Sequence, residues 1–427
     1  MHSPTTNRSI AAAALCVSLC AALPARAQPP IDETTGAARV CSEGPARAMA
    51  RALGARALAE LHATQVLPNP ELVVEHDRVL STAGGHEWTA GVAVPLGIAG
   101  RRGLSQEAAS LRKAAARSEA ESTLLDHALA FREGYVEAAS AAARVEVLEE
   151  QQRALDSLAE LIRGLTKGGE AATFDLLRQQ NQARSHRRAV VAAKAQAAAA
   201  LRWLESAAGV PVALPGQRLD LLGGGPRVLQ KAQGIPGEGH PRVRSLETAA
   251  RAAGMDARAA RRRAVPDLGV FLGYRAVTAS VGGTSATAHG FRAGLSLPLT
   301  FFDHGQGEAA RAEAEGMVAR ATADQLRREH RGRARATSER LKLLEAGRPE
   351  VEASAKDAAM LETKARQLYA AGELSIAELL DAYRAAEEAR LARIDLAEGI
   401  AVARLGLMRA LGTQLDARLD AACGSMP

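Results

Sequence analysis

The residues that could do chemistry in this chain are few and scattered. Ten histidines are spread over 427 residues, and none stands at the spacing of a zinc-ligand pair. There is no Gly-x-Ser-x-Gly elbow, no phosphate-cradling glycine loop and no aromatic cluster to line a pocket. An enzyme reading, a cofactor and a metal site therefore have no residues to rest on. The carboxylates that do stand in a pattern follow two glycine turns. Asp175 comes six residues after Gly169, and Glu378 and Asp381 come six and nine after Gly372. As single residues they read as acidic side chains suited to a helix N-terminus. Pattern, rather than reactive groups, has to carry the reading.

The pattern is a duplication. Gly91-Val92-Ala93-Val94-Pro95-Leu96 returns as Gly294-Leu295-Ser296-Leu297-Pro298-Leu299, and 298 − 95 = 203. Gly169-Glu170 followed by Asp175-Leu176-Leu177 returns as Gly372-Glu373 followed by Glu378-Leu379-Leu380, with the same offset, 372 − 169 = 203. Ala208-Gly209 returns as Leu411-Gly412. A flexible linker tolerates changes of length cheaply, whereas a rigid helix pair reaching a fixed distance does not. Earlier anchors differ, since Asn69-Pro70-Glu71-Leu72 matches Val265-Pro266-Asp267-Leu268 and 266 − 70 = 196. The second copy thus carries seven extra residues (203 − 196 = 7), which fall in Thr278 to Gly290, a Gly/Ser/Thr/Ala stretch that reads as a solvent loop.

Each copy opens with a helix that starts at a proline, Pro45 to Val66 and Pro241 to Ala264, a placement where the missing N–H costs nothing. Two strands follow, about 70–96 and about 267–299. Leu268, Val270, Leu272 and Tyr274 alternate with Gly269, Phe271, Gly273 and Arg275, and Trp88, Ala90, Val92 and Val94 alternate with Glu87, Thr89, Gly91 and Ala93. The Leu72–Val79 strand is less regular, because Glu75, His76, Asp77 and Arg78 cluster in it. Strands of about ten residues suit a tilted membrane strand, but about eight strands are the minimum for a barrel. Four per chain then require an oligomer, and threefold association gives 4 × 3 = 12. Long helical hairpins follow the strands, at 100–209 and 304–412. The return helix 374–411 carries two adjacent apolar seams, one through Leu380, Tyr383, Ile394 and Ala401 and one through Leu379, Ala386, Ile400 and Leu407. Two seams predict a helix held between two neighbours, as in a cylinder wall.

The ends give the compartment. Arg8, the apolar run Ile10 to Cys20 and Ala25-Arg26-Ala27 predict a signal peptide over 1–27, with Gln28 the first mature residue. No later segment is long and apolar enough for a membrane helix, so a membrane form must be a closed barrel. Cys16 and Cys20 leave with the signal. Cys41 and Cys423 then remain near the two ends, either as a disulfide in an oxidising compartment or as two separate thiols. Hydrophobic residues make up 47% but aromatics only 3%, a composition suited to closely packed, alanine-rich helices. The net charge of +6 comes from 54 basic and 48 acidic residues spread along the chain, which reads as a mixed helical surface rather than a nucleic-acid patch. The division is 1–27 signal peptide, 28–215 first repeat, 216–239 linker, 240–415 second repeat and 416–427 tail.

In this order, Asn69-Pro70-Glu71-Leu72, His240-Pro241, the Pro95 and Pro298 strand-to-helix junctions, Phe302-Asp303-His304-Gly305, the Gly-Glu-x5-Leu-Leu turns and Ala410-Leu411-Gly412 resemble the TolC-like outer membrane factor family. These proteins are the exit ducts of tripartite efflux pumps and type I secretion systems. Asn-Pro-Glu-Leu with Val94 through Arg102 looks most like the branch serving cobalt-zinc-cadmium efflux. The resemblance implies a homotrimer, with a 12-stranded barrel in outer-membrane lipid standing on a helical periplasmic tunnel. It implies that the turns at Gly168, Gly169, Gly372 and Glu373 meet a periplasmic adaptor joined to an inner-membrane RND transporter. It also places Asp175, Glu378 and Asp381 at the constriction of the tunnel's periplasmic end, where a ring of carboxylates would favour cations. Leu374 stands where members often carry a basic or polar residue, so a polar network at that point is absent or differently built. The rival reading is a periplasmic coiled-coil adaptor or structural protein; within the duct reading, drug efflux and type I secretion stand beside metal export.

Overall fold

The computed structural model describes residues 30–79, 85–168, 172–215, 239–281 and 284–413. The expected 1–27 signal peptide, all but the last residue of the expected 216–239 linker and the expected 416–427 tail lie outside them, as does Gly169. Helix α1 (Glu33–Ser42) and helix α2 (Pro45–Gln65) lead into strands β1 (Glu71–Val79) and β2 (Gly85–Leu96). The first hairpin is α3 (Arg101–Gly168) and α4 (Thr173–Ala208). The second copy runs through α5 (Pro241–Arg261), a short 3-10 turn, β3 (Leu268–Val281), β4 (Thr284–Ser296), α6 (Gln306–Ala370) and α7 (Ile376–Leu411). The two return helices start and end at the same offset: 376 − 173 = 203 and 411 − 208 = 203. At 1.5 Å per residue, the 68 residues of α3 and 65 of α6 each span on the order of 100 Å.

The strands form one antiparallel sheet in the order β1-β2-β3-β4, so the two hairpins join through β2 and β3. Pro95 pairs with Gly269 of β3, two residues past Ala93, the last residue of β2 that β1 pairs. Its missing N–H is therefore not demanded by a second ladder. Gly91 and Gly273 face each other across β2 and β3, and a Cβ built on Gly91 would lie 2.4 Å from the Gly273 Cα and 2.7 Å from the Phe271 ring. Glycine is needed there to let two backbones and one aromatic ring share a curved surface.

The seven extra residues of the second copy are not a solvent loop. They lengthen the hairpin instead: Thr278 pairs with Thr287, Ala279 with Ala286 and Val281 with Thr284. Small β-branched and alanine residues read as a loop by composition, but with a partner strand at hydrogen-bonding distance they extend the ladder. Helix α1 was not visible in the sequence either. Gly36 sits inside it, and a Cβ there would lie 2.4 Å from the Phe131 ring of α3. Asp32 caps its start, accepting from the Thr35 N–H at 2.8 Å. Arg132 of α3 reaches Glu33 at 2.6 Å.

The two seams of α7 find two partners. Ile400, Ala401, Leu405, Leu407 and Met408 are buried together with Leu125, Leu129 and Val136 of α3 and with Ala334 and Leu341 of α6. A second cluster near the turns joins Leu155, Leu158 and Ile162 of α3 to Leu379, Leu380 and Tyr383 of α7 and Ala365 of α6. Charged clamps cross the α3–α7 seam: Arg144 bonds Asp395 at 2.8 Å and also Glu398, and Arg409 holds Glu133 at 2.7 Å. Replacing Gly91 by Val puts three carbons into the Gly273 backbone and the Phe271 ring. The expected outcome is loss of the heat-resistant folded band in unboiled electrophoresis, with the chain still exported; a normal band would refute the close approach.

Candidate channel wall and periplasmic constriction

The sheet wears its apolar residues on the outside. Along β2 the alternation leaves His86, Trp88, Ala90, Val92, Val94 and Leu96 exposed, while Glu87, Thr89, Gly91 and Ala93 are half-buried or buried on the concave face. Across the sheet the convex rows continue through Leu72 and Val74 on β1, Leu272 and Tyr274 on β3, and Phe291 and Leu295 on β4; Leu72 is 76% exposed and Phe291 89%. The concave face is charged and small. Arg275 pairs with Glu87, and Arg292 reaches Glu75 at 2.9 Å. That accounts for the irregular β1 sequence, whose Glu75 faces inward and whose His76 stacks on Trp88 outside, with ring centroids 4.2 Å apart. From Trp88 to Leu96 the apolar band is roughly 27 Å along the strand at about 3.4 Å per residue, which a tilt of about 40° brings near the thickness of an outer-membrane hydrocarbon layer.

At the far end, the two helical hairpins turn differently. Gly372 takes φ +77°, the left-handed region, and the Glu373 N–H donates to the Leu368 carbonyl at 2.9 Å. Ser375 then caps α7 in a capping box: its hydroxyl accepts from the Glu378 N–H, and the Glu378 carboxylate accepts from the Ser375 N–H at 2.9 Å and from the hydroxyl at 2.6 Å. Those bonds hold the Glu378 carboxyl below the usual carboxylate range. Asp381 is exposed and pairs with Arg384 at 3.2 Å. In the first copy Ala172 provides no side-chain cap, and Asp175 stands at the third position of α4. Gly168 is the last residue of α3. Burial, and next the Asp175 charge, raise the Tyr369 hydroxyl above its ordinary value, so the two turns lie within electrostatic reach of each other.

Just inside the turns a polar cluster crosses from α3 to α6 and α7. Glu362 of α6 is buried and accepts from Arg366 at 2.8 Å and Arg390 at 2.6 Å; Arg390 also reaches Glu150 of α3 at 3.6 Å, and Arg366 lies over Tyr383. A cleft of about 520 Å³ opens beside it. Leu374 packs into the apolar cluster of Leu379 and Tyr383 instead. The polar cluster lies about three to five helical turns from the glycines of the turns. Sequence reasoning missed it because its members sit on three helices, and no local spacing brings Glu150, Glu362 and Arg390 together.

Residues 238–413 match the family model described as outer membrane efflux protein. Over that segment, the second repeat, the chain is similar to the outer membrane efflux protein family. The first repeat, outside that match, has the same strand-and-hairpin order as the second. Solved structures share the fold: the CusC channel at TM-score 0.69 and 18% identity over 89% of this chain and 92% of that one, and VceC of Vibrio cholerae at 0.68 and 16% over 90% and 96%. The MtrE channel of Neisseria gonorrhoeae in its open state gives 0.68 and 16% over 90% and 89%. No curated protein sequence matches the chain. The mainly helical fold with its four-stranded sheet is the fold of those channels.

Among the described residues no helix is long and apolar enough to cross a membrane and no group of three or more His, Cys, Asp or Glu could hold a metal ion. Pro298 lies two residues past the end of β4, at the strand-to-helix passage of the second repeat. Cys41 is fully buried beside Leu124 and Ala128 and is disulfide-bonded; Cys423 lies outside the described residues.

One buried site pairs His240 with a histidine that the sequence did not connect to it. His240 caps α5, its Nδ1 accepting from the Arg242 N–H at 3.1 Å, and its ring stacks on His330 of α6 with centroids 3.9 Å apart. Burial, with the neighbouring His330 charge, pushes the His240 imidazole down to about 4, and burial lowers His330 as well. Arg244 adds to the depression of His240, whereas its hydrogen bond to the Arg409 backbone opposes it. For His330, Arg333 lowers and Glu329 and Asp126 raise. A depressed histidine keeps its contribution above the unfolded value of 6.5 and loses it as pH falls toward 4, because the unfolded chain takes up the proton first. The melting temperature should therefore drop between pH 7 and pH 4.5. His240→Asn, which retains a capping side chain and does not titrate, should flatten that drop. An unchanged slope in the variant would refute the assignment.

Proposed function

We propose that the chain is the passive exit duct of a tripartite RND-type system and that its cargo is heavy-metal cations. The observation that carries the duct is the sheet: an apolar convex face unshared with its own chain, backed by a charged and glycine-lined concave face. A periplasmic adaptor or structural coiled coil would have no use for such a face. In this reading three chains close a 12-stranded barrel in outer-membrane lipid. The turns at Gly168, Gly169, Gly372 and Glu373 meet the adaptor, which joins the duct to the inner-membrane pump. Cys41 pairs with Cys423 and ties the mature ends together.

Asp175, Glu378 and Asp381 form the constriction. Three copies of each would place nine carboxylates at the narrow mouth, raising the local cation concentration and repelling anions. The low pKa of Glu378 keeps it ionised through ordinary periplasmic pH. Metal cargo is supported by that acidic mouth, by the likeness of the Val94–Arg102 junction to the heavy-metal branch, and by the CusC channel standing among the structures of similar fold, alongside other outer-membrane channels.

Glu378→Gln keeps a side chain that can complete the capping box while removing its charge. Combined with Asp381→Asn, it should raise conductance and weaken cation preference in planar bilayers; unchanged conductance and selectivity would remove these residues from the gate. Deletion of the gene should sensitise cells to zinc, cobalt, cadmium or copper. Sensitivity confined to organic drugs would sink the metal cargo and leave the duct standing.

A further inference from the structure

The convex face of the sheet changes character over two rows. Ladder pairing sets Val74 and Phe291 in one row, His76, Trp88 and His289 in the next, and Arg78 and His86 in the row beyond, at the end of the sheet away from the helices. The charges of the two faces are sorted. The strands hold four carboxylates, Glu71, Glu75, Asp77 and Glu87, and pairing puts all of them on the concave face. There Arg275 and Arg292 are neutralised by Glu87 and Glu75. On the convex face Arg78 is exposed and makes no ion pair among the described residues.

Beside Arg78 three rings are stacked. His76 lies between His86 and Trp88, with ring centroids 5.4 Å and 4.2 Å away, and its Nε2 is 3.3 Å from His86 Nδ1. Two neutral imidazoles carry two N–H groups between them. Their shared hydrogen bond uses one, so either choice of tautomer leaves the other free to donate outward. Two histidine nitrogens this close could also straddle a metal ion. A cation there would sit beside the guanidinium of Arg78, the ladder partner of His86, with no strand carboxylate on that face to offset it. A permanent guanidinium with a spare ring N–H suits an anion instead.

The position narrows the anion. It lies just past an apolar band, it is reached from the lipid side, and Trp88, 54% exposed, marks the boundary as an interfacial aromatic does. A phosphate ester in a lipid headgroup is anionic, sits at that depth and matches the guanidinium fork. We infer that Arg78, with His76 and His86, binds the phosphate of an outer-leaflet lipid. Arg78 donates two N–H bonds to the phosphate oxygens and the histidine pair a third, while Trp88 covers the start of the acyl chains. The inference rests on the duct reading, which sets this end of the sheet at the outer leaflet, and adds to it the class of lipid and the residues that hold it.

The test uses the full-length oligomer purified in detergent. It is offered diphosphoryl lipid A in mixed micelles, or the same lipid with its phosphates removed, and bound lipid is counted by native mass measurement. The wild type should hold the phosphorylated lipid about tenfold more tightly, and Arg78→Ser should remove most of that difference, as expected for a charge-assisted contact. Arg78→Lys, which keeps the charge and loses the fork, should fall between them, and His76→Asn with His86→Asn should weaken retention as well. Equal retention of both lipids by the wild type, or undiminished retention by Arg78→Ser, overturns the site. Displacement of the lipid by zinc ions would make the histidine pair a metal chelate, and displacement by millimolar inorganic phosphate would make the ligand a free anion; either result overturns the lipid assignment. All variants should keep wild-type conductance in planar bilayers. A normal channel without phosphate preference sinks the site alone, whereas a chain that forms neither oligomer nor channel sinks the duct reading beneath it.

Discussion

The convex face of the sheet is apolar and nothing in its own chain covers it. Burying a side chain such as Leu72, Val92 or Phe291 is worth about 1.5–3 kcal/mol, so a face of a dozen such residues left in water would be a large fraction of a domain's net stability. Lipid removes that cost only if every backbone N–H and C=O of the sheet is also paired, which requires closure. The edges β1 and β4 are the two strands left with one open ladder. A single chain cannot close them, and identical neighbours can. Closure with identical neighbours follows from one face and two edges.

Closure of the barrel constrains the helices below. Each chain delivers two hairpins to one cylinder, and hairpins of unequal length would leave one set of turns short of any shared partner. The alanine-rich composition fits the same demand. Small side chains let α3, α6 and α7 approach closely along their whole length, and glycines at 399 and 406 of α7 sit against Leu344 and Thr337 of α6. The charged clamps across these seams play a different part. Half-exposed pairs such as Arg144 with Glu398 contribute on the order of 0–1 kcal/mol, well below one buried leucine. What they can do is choose among registers that an alanine seam, with its uniform surface, does not distinguish. Apolar burial holds the helices together; the charges say where.

Much of this was legible in the residue order because it is periodic. Pro45 and Pro241 mark helix starts, the alternation around Trp88 and Leu272 marks strands, and a constant offset marks the duplication. The two seams of α7 were readable as two neighbours before either neighbour was known. What escaped was set by contacts far apart in sequence. Gly36 argues against a helix locally, and only Phe131 explains it. Thr278 to Gly290 has the composition of a loop and pairs with itself as an extended hairpin. His240 and His330 lie ninety residues apart on different helices, and no spacing rule connects them. The polar cluster around Glu362 escaped for the same reason.

The two turns also carry different loads, and this bears on how a constriction made from them would behave. In the second repeat the Glu378 carboxylate is already engaged twice by Ser375, so it is fixed in place by the helix start itself. In the first repeat Asp175 stands in the first turn of a helix that no side chain caps, and its charge reaches Tyr369 of α6. A group that is hydrogen-bonded to its own helix keeps its charge but moves only when the helix moves. One that is free of its own backbone can rearrange alone. Opening such a mouth therefore means displacing whole helices on the α6–α7 side. Of the cluster behind it, the Arg390–Glu150 pair at 3.6 Å, whose Glu150 is half-exposed, is the link from that hairpin to α3; Glu362 and both its arginines belong to α6 and α7 themselves. Moving the two helices as a unit therefore breaks a pair worth on the order of 0–1 kcal/mol and leaves the buried carboxylate partnered. Parting α6 from α7 is the costlier motion, because it takes Arg390 from the buried Glu362.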